Sequence, residues 1–74
     1  MENDTIVGMI DQDFLWWDQD EHTWTSNVFA ATKFTPNDAT LLTHRMKEGN
    51  VQAYTEHIMV AAKRWQEKVK EENK

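Results

Sequence analysis

The chain predicts an α+β fold: a small two- or three-stranded antiparallel sheet with two helices packed on one face. Three observations lead there. β-prone aromatic and branched residues gather before residue 26, a helix start follows at Thr35-Pro36-Asn37-Asp38, and apolar residues then recur at spacings of three and four. Seventy-four residues leave room for one domain, spanning 1–74, with a thin core. There is no cysteine for disulfides and no Cys/His set for structural zinc. The four Trp compensate, because each can bury roughly 150–250 Å².

The segment Thr5-Ile6-Val7-Gly8-Met9-Ile10 reads as a short strand, ended by the turn-like Asp11-Gln12-Asp13. Phe14-Leu15-Trp16-Trp17 and Thr23-Trp24-Thr25-Ser26 read as the two arms of a hairpin over residues 14–26, joined by the polar Asp18-Gln19-Asp20-Glu21-His22. Thr35 caps the next element, because its hydroxyl can accept a bond from an orphan backbone N–H, and Pro36 has no N–H to leave unsatisfied. That helix runs over residues 36–48, with Ala39, Leu42 and Met46 on one face and Leu41 beside them. Gly49 ends it, where a left-handed conformation is cheapest. Asn50 then reads as the cap of a second helix over residues 51–72, since Val51, Tyr54, Ile58, Ala61, Trp65 and Val69 follow helical spacing. A strand through residues 51–60 is the competing reading, carried by Tyr54, Ile58 and Val60. A helix from 51 to 72 would be about 33 Å long and would protrude or meet another chain.

Charge is uneven along the chain. Residues 1–37 carry seven acids (Glu2, Asp4, Asp11, Asp13, Asp18, Asp20, Glu21) and one base, Lys33; residues 38–74 carry six acids and seven bases. Phosphate binding needs clustered Lys and Arg, so the first half argues against direct nucleic-acid contact and toward steering onto basic protein surfaces. In the second half, Lys63–Glu67 and Lys68–Glu72 alternate as a solvated helix face would. No apolar run reaches the roughly 20 residues that span a bilayer, and the first residues are acidic where a signal peptide is basic. The expectation is a cytoplasmic protein without a membrane partner.

Catalysis is hard to build from these residues. Gly8 and Gly49 stand alone, so there is no phosphate-cradling loop, and the one serine, Ser26, has no neighbouring base. His44 and His57 could approach across an antiparallel helix pair, but a metal site needs further ligands. Asp11-Gln12-Asp13 opens like a calcium loop, yet Trp16 stands where that loop needs glycine and His22 where it needs a bidentate Glu. No catalytic residue, metal or cofactor is expected. The acids read either as solvated loop charges blunting strand ends or as an anionic patch.

Trp16 and Trp17 carry the most information. Consecutive strand positions face opposite sides, so both cannot enter one core. One of them, flanked by acids, is available as a partner-binding anchor. The candidate surface is therefore Asp11, Asp13, Trp16, Trp17, Asp18, Asp20, Glu21 and Trp24. Trp65 lies on the apolar stripe of the last helix and reads as core.

The run Trp24-Thr25-Ser26, then Ala31-Thr32-Lys33-Phe34-Thr35 and Ala39, resembles a hairpin-then-helix pattern of short phage and prophage accessory proteins, over roughly residues 14–48. That class includes anti-CRISPR and anti-restriction inhibitors, many of them small, acidic and non-enzymatic. The resemblance implies a phage-type protein that binds a host protein with a basic, nucleic-acid-binding surface and inhibits it. The alternative is an oligomeric structural or accessory subunit, assembling as a homodimer through residues 58–72.

Overall fold

A computed structural model describes residues 3–72. It is α+β, with one antiparallel sheet and two helices: β1 (Thr5–Met9), β2 (Trp16–Asp18), β3 (Thr23–Thr25), α1 (Pro36–Glu48), β4 (Ala53–His57) and α2 (Ile58–Glu72). The sheet has four strands in the order β3-β2-β1-β4. The expected hairpin forms inside residues 14–26, with Trp17 directly opposite Trp24.

The additional strand is β4. The leading reading opened the second helix at residue 51; the competing strand reading holds for Ala53–His57, which pair with β1 along its whole length, from Thr5 opposite His57 to Met9 opposite Ala53, while Ile58–Val60 begin α2. The pairing covers an edge that β1 would otherwise leave open, and Tyr54 and Thr55 suit an extended backbone. It also seats the Tyr54 ring against Gly8, where a Cβ would lie 2.6 Å from Tyr54 Cζ. Asn50 is accordingly not a helix cap. It takes the left-handed conformation expected of Gly49 (φ 66°), while Gly49 itself sits at φ −90°. Asparagine tolerates that region, and its position just past the helix lets the chain reverse into β4.

The helices do not share a face of the sheet. Ile6 and Val7 are adjacent on β1 and both fully buried, so both faces of that strand are covered. Ile6 packs with Trp16, Val28, Ala31 and Ala61, joined by Phe14, Ile58, Ala62 and Trp65, so this face belongs to α2. Val7 faces the other way, and α1 lies against β1 and β4 there, with Ala39 buried. One small helix on each face lets a three-layer arrangement bury β1 from both sides, as its unbroken apolar run Ile6-Val7 requires.

Local chemistry sets the helix ends. Thr35 Oγ1 accepts from the Asp38 amide at 3.3 Å, as its position before Pro36 predicts. α2 starts without a Ser, Thr, Asp or Asn; the His57 ring takes their place, its Nδ1 accepting from the Met59 amide at 3.1 Å. Fifteen residues make α2 about 22 Å long, shorter than the helix expected from the spacing.

Candidate functional site

Alternation along β2 separates the two tryptophans as expected. Trp16 turns to the α2 side and is fully buried, so it belongs to the core and leaves the candidate binding surface. Trp17 turns to the α1 side, where its ring meets Trp24 edge-on at 5.3 Å and His22 at 6.3 Å. Trp17 Nε1 donates to Gln19 Oε1 at 2.8 Å, which fixes the indole over the start of the turn. Both rings remain half-buried.

The turn at residues 19–22 is built around Asp18. Its Oδ1 accepts from the amides of Asp20 at 3.1 Å and Glu21 at 3.3 Å, an Asx turn that holds the reversal. His22 closes it in the left-handed region at φ 51°. Asp18 is thus committed to its own backbone, while the carboxylates of Asp20 and Glu21 are exposed. Thr32 anchors this end from the side: its amide donates to Trp17 O at 3.0 Å and its Oγ1 accepts from the Gln19 amide at 2.7 Å.

Asp11 and Asp13 lie elsewhere. They are exposed on the loop between β1 and β2, and β2 runs from that loop to the Asp18 turn. The two groups of acids therefore stand at opposite ends of the hairpin, and only Asp18, Asp20 and Glu21 adjoin the Trp17–Trp24 pair. His44 and His57 do not face each other across two helices, because His57 ends β4 and contacts Asp4 at 3.3 Å.

Two surface features escaped the sequence reading. Beside the turn, Gln19, Phe34, Asp38, Leu41, Leu42 and Arg45 line a groove of about 300 Å³ on the α1 side, and Leu41 is 60% exposed in it. Leu41 was placed next to the core face of α1; its rotation along the helix instead points it into this groove. On the other face of the sheet, Phe29, Met59 and Val60 are exposed around a second, apolar groove. Phe29 stacks edge-on with Trp65 at 5.6 Å, which supports Trp65 from outside the core.

A partly buried polar cluster completes the α2 side. The Arg64 guanidinium donates to both Glu56 oxygens, at 2.8 and 2.7 Å, and to Tyr54 Oη at 3.2 Å. Trp16 Nε1 reaches Glu56 Oε2 at 3.4 Å. Burial pushes the Tyr54 phenol above its ordinary value, against the pull of the Arg64 bond. The same bond, donated to Tyr54, is the leading reason that Arg64 is held more firmly as a cation. Phe14 sits at φ 63°, with its ring against Trp16 and Lys68 Nζ 4.4 Å above it, so the β1–β2 loop is clamped to the far half of α2.

No three His, Asp or Glu side chains among the described residues come together in a way that could hold a metal ion. No helix among them is long and apolar enough to cross a membrane. Comparison of the chain with protein-family models, with curated proteins and with solved structures finds no match.

Proposed function

We propose that this protein is a non-enzymatic binding module that docks the end of its β2–β3 hairpin on a basic surface of a nucleic-acid-handling protein. One observation carries the reading: two exposed carboxylates, Asp20 and Glu21, sit on a rigid turn directly beside the cross-strand pair Trp17–Trp24. Charge at that end steers encounter, and half-buried aromatic rings supply contact area that salt does not screen. The groove with Leu41 and Phe34 extends the apolar part of the surface toward α1. On the resemblance to phage accessory proteins, the finer proposal is inhibition of a host defence enzyme in the host cytoplasm.

The test is capture of a partner from bacterial lysate followed by association kinetics on the purified pair. Asp20→Lys with Glu21→Lys should slow association and flatten its salt dependence, while Trp24→Ala should mainly speed dissociation. Asp18 is left in place, because its carboxylate holds the turn. A captured partner that binds the charge-reversed protein at the wild-type rate, with the wild-type salt dependence, rules the mechanism out.

The second reading is an assembly subunit contacting through residues 58–72. Its specific support is the exposed apolar trio Phe29, Met59 and Val60, with Met59 70% exposed.

A further inference from the structure

The sheet has two edges, and they differ. β3 offers three residues, whereas β4 offers five and, among the described residues, pairs with β1 alone. Edge strands are normally guarded by Lys, Pro or a bulge, and Ala53-Tyr54-Thr55-Glu56-His57 contains neither residue and pairs with β1 without a break in register. Its one charged side chain of fixed sign, Glu56, points to the α2 side and is held by Arg64. The ladder bonds Ile10 N to Gln52 O and Ile58 N to Asp4 O show which residues turn their amides inward. By the alternation of an antiparallel pair, Tyr54 and Glu56 bond β1, while the N–H and C=O of Ala53 and Thr55 and the N–H of His57 point away from the sheet; the His57 carbonyl, at the cap of α2, serves the helix. Thr55, at the centre, is exposed.

We infer that β4 is a self-pairing edge, and that its partner is β4 of a second copy of this chain, aligned antiparallel about a two-fold axis at Thr55. That register sets Thr55 opposite Thr55, the pair exchanging both of its bonds, and sets the Ala53 carbonyl opposite the free His57 N–H of the second copy. It is also matched in side chains. Tyr54 falls opposite Glu56 of the second copy, beside the Arg64 that already bonds both residue types, and Thr55 falls opposite Thr55, a favourable cross-strand pair. No like charges oppose each other. The result is a continuous sheet twice as wide, with β3 at each end. This interface is separate from the hairpin surface and from the apolar groove on α2, so it stands or falls independently of the function proposed above.

The experiment combines sedimentation with amide hydrogen exchange over a concentration series of the whole chain. A concentration-dependent dimer is expected, with the Thr55 amide exchanging freely when dilute and becoming protected as the dimer forms. Two variants probe the axis. Thr55→Pro removes an N–H that no bond within one chain uses, and Thr55→Lys sets like charges against each other at the axis. Each should weaken dimerisation by roughly tenfold or more, since both central bonds or their geometry are lost. Far-ultraviolet circular dichroism establishes that each variant is folded; should the proline variant fail to fold, the lysine variant decides. A wild-type chain that stays monomeric at every concentration overturns the inference. So does a dimer that survives Thr55→Lys, or one that Val60→Asp dissolves while Thr55→Lys leaves it intact.

Discussion

Tyr54 and Gly8 occupy one site between them, and each limits what the other can be. A Cβ on Gly8 would fall 2.6 Å from Tyr54 Cζ and 2.8 Å from Cε1, so the ring would have to leave its seat. Gly8→Ala should therefore destabilise the fold by about 1–3 kcal/mol, read as a lower urea midpoint at unchanged m-value. Tyr54 is the one tyrosine in the chain, so its ionisation can be followed directly by tyrosinate absorbance. Burial raises its folded value above the ordinary 10.0. A raised value means that the folded state holds the proton more tightly than the unfolded one. The stability tied to Tyr54 is then fully present below the unfolded value and is lost as pH rises through the folded value. The expected record is a tyrosinate midpoint above 10.0 in the native protein, falling to the ordinary value in urea. Stability should decline over the same alkaline range and cease to do so in Tyr54→Phe. A native midpoint at or below the ordinary value contradicts the burial argument.

Elements begin and end where side chains satisfy backbone groups, and the two helices do this differently. Thr35→Ala removes the acceptor for the Asp38 amide and should cost about 1 kcal/mol. His57→Ala removes the acceptor for the Met59 amide together with the contact to Asp4, so its loss in thermal unfolding should be at least as large. An unchanged melting temperature in either variant means that the helix is capped by another group. The start of α1 was legible in the sequence because Thr-Pro-Asn-Asp is a local signal that needs no partner; its last residue was placed correctly before Gly49, although Asn50 and not Gly49 takes the left-handed turn. β4 was not legible. Tyr54 and Ile58 are four apart, a step that fits both a helical turn and two strand repeats, so spacing alone could not choose between them. What decides is the open side of β1, which lies far away in the chain. The same holds for the hairpin: alternation announced that Trp16 and Trp17 part company, but which of them enters the core depends on where α2 docks. The acids looked like one group because they are close in sequence, and three residues of extended β2 suffice to divide them.

For the whole molecule the margin is small. Trp16 is the largest fully buried side chain and touches β1, α2 and the loop that carries Val28 and Ala31. Trp16→Ala should cost about 3–5 kcal/mol, a large part of the total stability of a small domain. The expected outcome is loss of near-ultraviolet circular dichroism at a temperature where the wild type is folded. Native-like near-ultraviolet signal and melting in that variant contradict its place in the core. Reversal of Asp20 and Glu21, in contrast, should leave melting within about 0.5 kcal/mol of wild type, since exposed charges add little.

The position of β1 has a consequence for how the chain is made. It is the first strand in sequence, yet it lies in the interior of the sheet beside β2, and its outer neighbour is the last strand to appear. During synthesis the hairpin and α1 are complete before Ala53–His57 exists, and until then β1 carries an open edge lined by the same residues that later bond β4. Closure waits on a contact between near-opposite ends of the chain, which places folding on the slow side for a protein of this size. A nascent chain arrested before residue 53 should be open to proteolysis at β1, and one arrested well beyond α2 should resist it.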